Sequence, residues 1–364
     1  MKRFYALCVL LCALLSSSGA LAQVAAGGNH ALYLDGNGAV WAWGANHRRE
    51  TLPENEALLI ATPAKVFEGA VQVACGRQFS LALDAQGEAW LWGNGLSEKQ
   101  SLSKDTVKIA ACESSYALLK SDGSAVYFDG QAERSFDLNA TDVACGADFL
   151  LLVSDGSAYF YGDPIYIGQE EDTQAPVILL SGAKSVFAAC QTGMILGADG
   201  RLYVFGASGA EGRLGIDTTQ WIASPTANGL ENVLLGAPGL SAGGAIGENG
   251  TLYLWGTLYS LLSVFGEDGL PYVSSAEDAL IRYGKTPIPV YENAVSCALG
   301  DAFVVLELAD GTVLTWGTND WGQAGDGSST LFTYAEDDGD GEFLIEDNRQ
   351  MIFPAYPRFL PQGE

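Results

Sequence analysis

The 364-residue sequence offers little material for histidine chemistry and a large excess of carboxylates. It contains two histidines, His30 and His47, against 44 aspartates and glutamates. A Ser-His-Asp triad or a histidine-rich metal site therefore has few candidates. Carboxylate pairs for glycoside hydrolysis stay open as an alternative, because so many acids allow many pairings. We predict that the protein is not an enzyme.

One acidic segment has partial metal-ligand spacing. The stretch EDDGDGEFLIED, residues 336–347, places Asp338, Asp340 and Gly341 at offsets that partly follow a calcium loop. The initial aspartate and the terminal bidentate glutamate of such a loop are missing. We therefore favour a solvated hairpin tip, and keep Asp338 and Asp340 as the weak candidates for calcium, with no other cofactor expected.

Large aromatic residues stand in otherwise polar segments of the second half of the chain. Aromatic anchors surrounded by polar residues are typical of protein interfaces, and Tyr and Trp also stack on sugars. Each ring can instead pack against its own loop. The candidate partner-binding residues are Trp221, Tyr259, Phe265, Tyr272, Tyr283, Trp321, Phe332 and Tyr334.

The cysteines stand in similar small-residue settings. Beyond the first 22 residues they are Cys75, Cys112, Cys145, Cys190 and Cys297, in stretches such as VACG and AACQ. We predict that they are small buried residues interchangeable with alanine. A disulfide framework is the alternative, but equivalent positions in repeated units rarely meet the geometry of that bond.

The beginning of the chain and its charge indicate an exported protein. Residues 1–22 have a basic start, a short apolar stretch and a small-residue end, which predicts a signal peptide cleaved before Gln23. An uncleaved membrane anchor is the alternative, although the apolar stretch is short for a span. We expect a secreted or cell-surface location without stable membrane insertion after cleavage. The net charge of −26 disfavours nucleic acids and anionic lipid as partners.

A repeated unit must position these residues. Seven copies of two apolar runs, a Gly-containing turn and an aromatic-rich run ending in Gly can be aligned, and a proline-marked run follows several of them. Each unit predicts four short antiparallel strands. We therefore predict an all-β fold, a seven-bladed β-propeller of four-stranded antiparallel blades occupying residues 23–364 as one domain. A pair of β-sandwiches with similar hairpins is the alternative.

The spacing of the copies predicts where loops lie. In a four-stranded antiparallel blade, the loops after the first and third strands emerge on the same face. The long insertions follow third strands, so we expect them, and the aromatic residues above, on one face of the disc. The long insertions are residues 45–61, 94–106, 207–224, 257–286 and 318–356, of which 257–286 and 318–356 are the longest.

The repeat resembles that of the regulator-of-chromosome-condensation family. The closest matches are GGNHALYL in the first unit, WGTNDWGQAGDG at residues 316–327 and GASGAEGRLG at residues 206–215. The resemblance covers residues 24–327, with PRFL as an expected last strand, and implies a structural role for His30. Founding members bind chromatin and exchange nucleotide on a small GTPase, whereas this chain is acidic and lacks a basic tail. Exported bacterial relatives include a propeller that presses an aromatic-rich face against β-lactamases, and this precedent fits the expected exported location better.

These observations together predict a binding protein. We expect an exported, monomeric propeller that engages a macromolecular, preferably protein, partner through its insertion-bearing face. A carbohydrate-binding or carbohydrate-active propeller that uses the same face or the central funnel is the alternative.

Overall fold

The computed structural model describes residues 23–170, 175–209, 212–259, 264–265, 271–272, 280–329 and 358–359. Its regular structure is almost entirely β. The strands of the first three blades are β1 (Gln23–Ala26), β2 (His30–Leu34), β3 (Val40–Ala45), β4 (Leu59–Phe67), β5 (Ala70–Cys75), β6 (Phe79–Asp84), β7 (Ala89–Gly93), β8 (Gln100–Ser103), β9 (Thr106–Cys112), β10 (Ser115–Lys120), β11 (Ser124–Phe128) and β12 (Glu133–Asp137).

The remaining blades continue in the same way. Their strands are β13 (Ala140–Cys145), β14 (Phe149–Ser154), β15 (Ser157–Gly162), β16 (Val177–Ser181), β17 (Ala183–Ala189), β18 (Thr192–Gly197), β19 (Leu202–Gly206), β20 (Ile222–Ala227), β21 (Val233–Pro238), β22 (Ala242–Gly247), β23 (Leu252–Tyr259), β26 (Leu280–Tyr291), β27 (Ala294–Leu299), β28 (Phe303–Leu308), β29 (Val313–Gly317) and β30 (Arg358–Phe359). A small hairpin of β24 (Val264–Phe265) and β25 (Pro271–Tyr272) lies within the insertion of the sixth blade.

Seven antiparallel four-stranded sheets form the seven blades, as the repeat predicts. In each blade the strands are neighbours in the order in which they occur along the chain, apart from the small hairpin inserted between β23 and β26. The first blade is β1 to β4 and the seventh is β27 to β30, so the ring closes by packing between these two sheets. A hydrophobic cluster that includes Val24, Trp43 and Phe303 fills that junction. The predicted fold class is confirmed.

The core lies between blades rather than inside them. Each of the seven junctions holds a hydrophobic cluster to which two adjacent sheets contribute. The third strands supply its largest buried rings, including Trp43, Trp92, Phe205 and Trp255, all fully buried. Because the inner part of every sheet is covered on both faces by a neighbouring blade, the second strands are almost entirely buried and show little alternation, whereas outer strands such as β12 are largely exposed.

A glycine in or just after each third strand has a steric function. All seven have positive φ, and a Cβ at any of them would lie within 2.6 Å of the turn between the first and second strands of the same blade. The chain passes too close to itself at this point for a side chain. These residues are Gly44, Gly93, Gly130, Gly162, Gly206, Gly256 and Gly317.

The other repeated glycine joins consecutive blades. The carbonyl of Gly38, in the turn between β2 and β3, accepts a hydrogen bond of 3.0 Å from the amide of Ala70, the first residue of the next blade. Equivalent bonds run from Thr106 to Gly87, Ala140 to Gly123, Ala183 to Gly156, Val233 to Gly200 and Ala294 to Gly250. The hairpin turns and the links between blades therefore share one side of the disc, which we call the hairpin face.

Buried indoles connect the blades on the opposite side. Trp43 Nε1 donates to Gln323 O at 2.8 Å, and Trp255 Nε1 donates to Arg213 O at 2.8 Å. In both cases the acceptor lies in the third loop of the preceding blade. In these two places the loop of one blade covers the tryptophan of the next, so part of these two insertions is structural.

This arrangement supplies a matched test of the loop contact. Trp43 and Trp92 are both fully buried, but Trp92 Nε1 has no hydrogen-bond partner among the described residues. Both Trp→Phe changes remove similar ring volume, and only Trp43→Phe leaves a buried carbonyl without its donor. We expect urea unfolding to show that Trp43→Phe lowers the free energy of unfolding by about 1–2 kcal/mol more than Trp92→Phe does. Equal losses would contradict the structural function of the loop.

Candidate functional site: the insertion face and the axial channel

The third-strand loops lie on one face, together with the turns between first and second strands. Ala45 N donates to Asn29 O at 2.8 Å, which ties the start of the first insertion to the first turn of its own blade. The same contact recurs from Thr318 to Ala302 at 2.9 Å. We call this side the insertion face. For the described residues, the insertions lie on one side of the disc as the sequence predicts.

Asparagine side chains hold two of these loops in shape. Asn319 Oδ1 accepts a hydrogen bond from Ala324 N at 2.8 Å, and Asn46 Oδ1 accepts one from Leu52 N at 2.8 Å. These side-chain amides hydrogen-bond the backbone groups of the loops, which have no partners from regular secondary structure there. The resembling motif at residues 316–327 therefore serves to shape the loop.

One aromatic pair lies over the junction of the first and seventh blades. The rings of Trp321 and His47 are 4.9 Å apart between centroids, and both side chains are partly exposed. His47 Nδ1 lies 3.3 Å from Glu50 Oε1, and His47 Nε2 lies 3.3 Å from Gln78 Nε2. Glu50 is 1% exposed, and burial raises the pKa of its carboxyl. The pair is therefore a fixed, half-exposed aromatic surface.

A second aromatic pair lies over the fourth and fifth blades. Trp221 is 39% exposed, and its ring packs against Tyr166 in a tilted arrangement, with centroids 5.3 Å apart. Tyr166 belongs to a 3₁₀ turn, Pro164–Ile167, that Asp163 caps through a 3.0 Å hydrogen bond from Ile165 N. Tyr166 itself is buried and also packs on Phe149. Trp221 thus stands on a rigid base with one face open.

The remaining aromatic candidates differ in position. Tyr283 is buried, its hydroxyl accepts a 2.6 Å hydrogen bond from Trp316 Nε1, and burial raises its pKa to about 12. It therefore offers no ring surface to a partner. The side chains of Tyr259, Phe265 and Tyr272 lie outside the described residues, although their backbone lies in strands. Phe332, Tyr334, Asp338 and Asp340 also lie outside them, as do residues 1–22.

The first strands of the blades surround an axial channel. They leave a cavity of about 320 Å³, whose lining residues include many alanines and glycines and four cysteines. All five described cysteines are free and buried. Burial raises the pKa of Cys145 and of Cys297 to about 12, so both thiols stay protonated and unreactive at neutral pH.

Three charged residues meet where the channel opens on the insertion face. Arg77 Nη1 lies 3.2 Å from Glu113 Oε2, and Arg77 Nη2 lies 3.3 Å from Asp301 Oδ2. Backbone hydrogen bonds fix these turns relative to one another, from Asp301 N to Gly28 O, Gly28 N to Arg77 O and Arg77 N to Glu113 O. We call Arg77, Glu113 and Asp301 the axial charge cluster. Sequence analysis missed it, although each member lies in the turn after a run of small residues.

His30 has a structural function. Its ring is fully buried, its Nε2 lies 2.9 Å from Ser80 Oγ, and Ser80 Oγ donates to Glu50 O at 2.7 Å. Burial lowers its pKa to about 3, so the imidazole is neutral. Within the described part of the chain, no group of three His, Cys, Asp or Glu side chains is placed to hold a metal. The same residues include no helix long and apolar enough to cross a membrane.

The comparisons with known proteins agree with this architecture. Residues 21–49 and 70–97 match the family model described as regulator of chromosome condensation (RCC1) repeat. The human E3 ubiquitin-protein ligase HERC2 is 29% identical over 171 residues, which are 43% of this chain and 3% of HERC2. This chain therefore spans only a small part of the length of that relative.

Solved structures extend the likeness over the whole ring. Prp20p from Saccharomyces cerevisiae has a TM-score of 0.70 at 15% identity, covering 91% of this chain and 88% of its own. Yeast RCC1 (Prp20) bound to Kap60 has a TM-score of 0.69 at 16% identity, covering 94% and 85%. The fold is a seven-bladed propeller, and parts of its first two units match the RCC1 repeat model. The chain is an RCC1-like β-propeller.

Proposed function

We propose that this protein is an exported, non-enzymatic binding propeller that engages a protein partner through its insertion face. The observation that carries the proposal is the pair of fixed, partly exposed aromatic surfaces, Trp321 with His47 and Trp221 with Tyr166, on the face that bears the long loops. Rigid aromatic side chains lose little conformational entropy on binding and anchor interfaces effectively. The signal-like residues 1–22 support export.

The relatives support a protein partner in general terms. Prp20p was analysed with its binding to Gsp1p and histones, and a second structure has it bound to Kap60. These partners belong to Prp20p. The net charge of −26 of the present chain favours neutral or basic partners instead of acidic ones. The carbohydrate alternative has no comparable support among these relatives.

The test compares aromatic residues on the two faces. Trp321→Ala and Trp221→Ala remove the exposed anchors, whereas the control Trp41→Ala removes a partly buried indole whose Nε1 donates to Asp35 on the hairpin face. The immobilised chain lacking residues 1–22 captures proteins from extracellular medium, mass spectrometry identifies them, and biolayer interferometry measures affinity for the purified partner. We expect each insertion-face change to weaken binding at least about tenfold and the control to leave it unchanged.

Two results would overturn the proposal. One is a partner whose affinity depends on Trp41 and is insensitive to Trp321 and Trp221. The other is turnover of a glycan on an array or in a reducing-sugar assay, which would favour the carbohydrate alternative.

A further inference from the structure

The axial charge cluster combines two carboxylates with one guanidinium at the centre of the insertion face. Asp301 comes from the seventh blade, Arg77 from the second and Glu113 from the third. The ionised cluster therefore carries one net negative charge. Arg77 is the exposed member, with 48% of its side chain accessible, whereas Asp301 is 7% exposed.

Asp301 is not fully satisfied by Arg77. Its Oδ2 atom is buried, and it accepts no hydrogen bond among the described residues although Arg77 Nη2 lies 3.3 Å away. A buried carboxylate oxygen that lacks a hydrogen bond is unfavourable, and a well-oriented cationic donor would relieve this. The backbone hydrogen bonds between the turns hold Asp301 and Glu113 in place, so the site is formed before a ligand arrives.

We propose that the mouth of the axial channel, at Asp301 and Glu113, is a binding site for an arginine or lysine side chain of the protein partner, and that Arg77 occupies this site in the free protein. The proposal rests on the proposed binding function of the insertion face. With Arg77 turned outward, the two carboxylates attract a cation from the partner, whereas an anion would be repelled by them. The partner's head group stops at the carboxylates, because the channel below is lined mainly by small and apolar residues.

Arg77 is therefore a competing internal ligand. Its exposed side chain turns outward when a partner's basic side chain enters, and it can then pair with an acidic group on that partner. Removing Arg77 should strengthen the binding of an external cation. This direction separates the proposal from a purely structural ion-pair cluster, in which loss of Arg77 only destabilises the fold.

The experiment titrates the chain lacking residues 1–22 with N-acetyl-arginine amide at constant ionic strength, up to about 50 mM, and obtains the dissociation constant from the rise in melting temperature. N-acetyl-citrulline amide is the neutral control ligand. We expect saturable binding of the arginine compound only, at least about tenfold tighter binding for Arg77→Gln, and loss of binding for Asp301→Asn. Arg201→Gln is the matched control, since Arg201 pairs with Glu231 in an exposed ion pair near the hairpin face, and should leave binding unchanged.

Each outcome has a defined meaning. Equal effects of the two ligands, or arginine binding that survives Asp301→Asn, would overturn the axial site. If Arg77→Gln does not fold, the comparison of wild type with Asp301→Asn still decides. In one combination, the arginine compound fails to bind while the Trp321 and Trp221 variants still lose capture of the partner. That combination contradicts the axial site and leaves the proposed function standing. Arginine binding without any effect of those variants on capture contradicts the proposed function instead.

Discussion

Gly256→Ala is expected to lower the free energy of unfolding by about 4 kcal/mol or more, measured by urea denaturation. Gly256 lies within β23, the third strand of the sixth blade, with φ of +81°. A Cβ there would lie 2.6 Å from Ser241 O and 2.8 Å from Ala242 Cα. Both are backbone atoms at the start of β22, so they can move away only by disturbing the pairing of β22 with β23.

Gly311→Ala separates this clash from backbone strain. Gly311 has φ of +83°, nearly the same as Gly256, but no atom lies within 4 Å of its added Cβ. We expect a loss of only about 1 kcal/mol from the left-handed conformation. Similar losses for the two variants would show that close chain approach does not explain the glycine at the end of each repeat.

Glu307→Gln is expected to stabilise the protein above neutral pH and to have little effect near pH 4.5. Glu307 is 2% exposed in β28, its Oε2 has no hydrogen-bond partner among the described residues, and burial raises its pKa to about 7. The unfolded chain loses this proton from about pH 4.5, whereas the folded protein keeps it until about pH 7. The free energy of unfolding of the wild type therefore falls across this range, by up to about 3 kcal/mol from this group.

The measurement is urea unfolding of wild type and variant from about pH 4.5 to 8. The difference between them isolates Glu307 from Asp301, whose pKa burial also raises, to about 6. Asp310→Asn is the control, because hydrogen bonds from Thr312 lower the pKa of Asp310 and its contribution is constant over this range. A difference between wild type and Glu307→Gln that does not change with pH would contradict a buried, protonated Glu307.

The fold could be predicted because glycines recur in the sequence at the positions where every blade has the same steric requirement. The glycine in or just after the third strand performs the same task in all seven blades, and the glycine of the hairpin turn joins consecutive blades at six places, so their spacing is kept while other side chains change. Gly38, for example, is required by a turn whose carbonyl joins two blades. Positions that share one physical constraint are visible in a single sequence.

The candidate site was predicted less completely, because exposure depends on which blade lies beneath a loop. Tyr283 and Trp321 look alike in the sequence, as aromatic residues in or near long insertions. Tyr283 instead accepts the hydrogen bond of Trp316 in the next blade, whereas Trp321 packs against His47 at the surface. The axial charge cluster was missed because Arg77 and Asp301 are far apart in sequence and meet only at the axis.

The junction between the first and seventh blades determines where the ring would open under mechanical force. Among the described strands none belongs to both sheets, and the junction depends on side-chain packing and on bonds such as Val24 N to Ser296 Oγ at 3.1 Å. Pulling β1 away from β27 would part these two sheets first, and the circle would open into an arc while every sheet kept its own ladder intact. The protein thus has a built-in mechanical weak point, at the place where Trp321 and His47 form one of its binding surfaces.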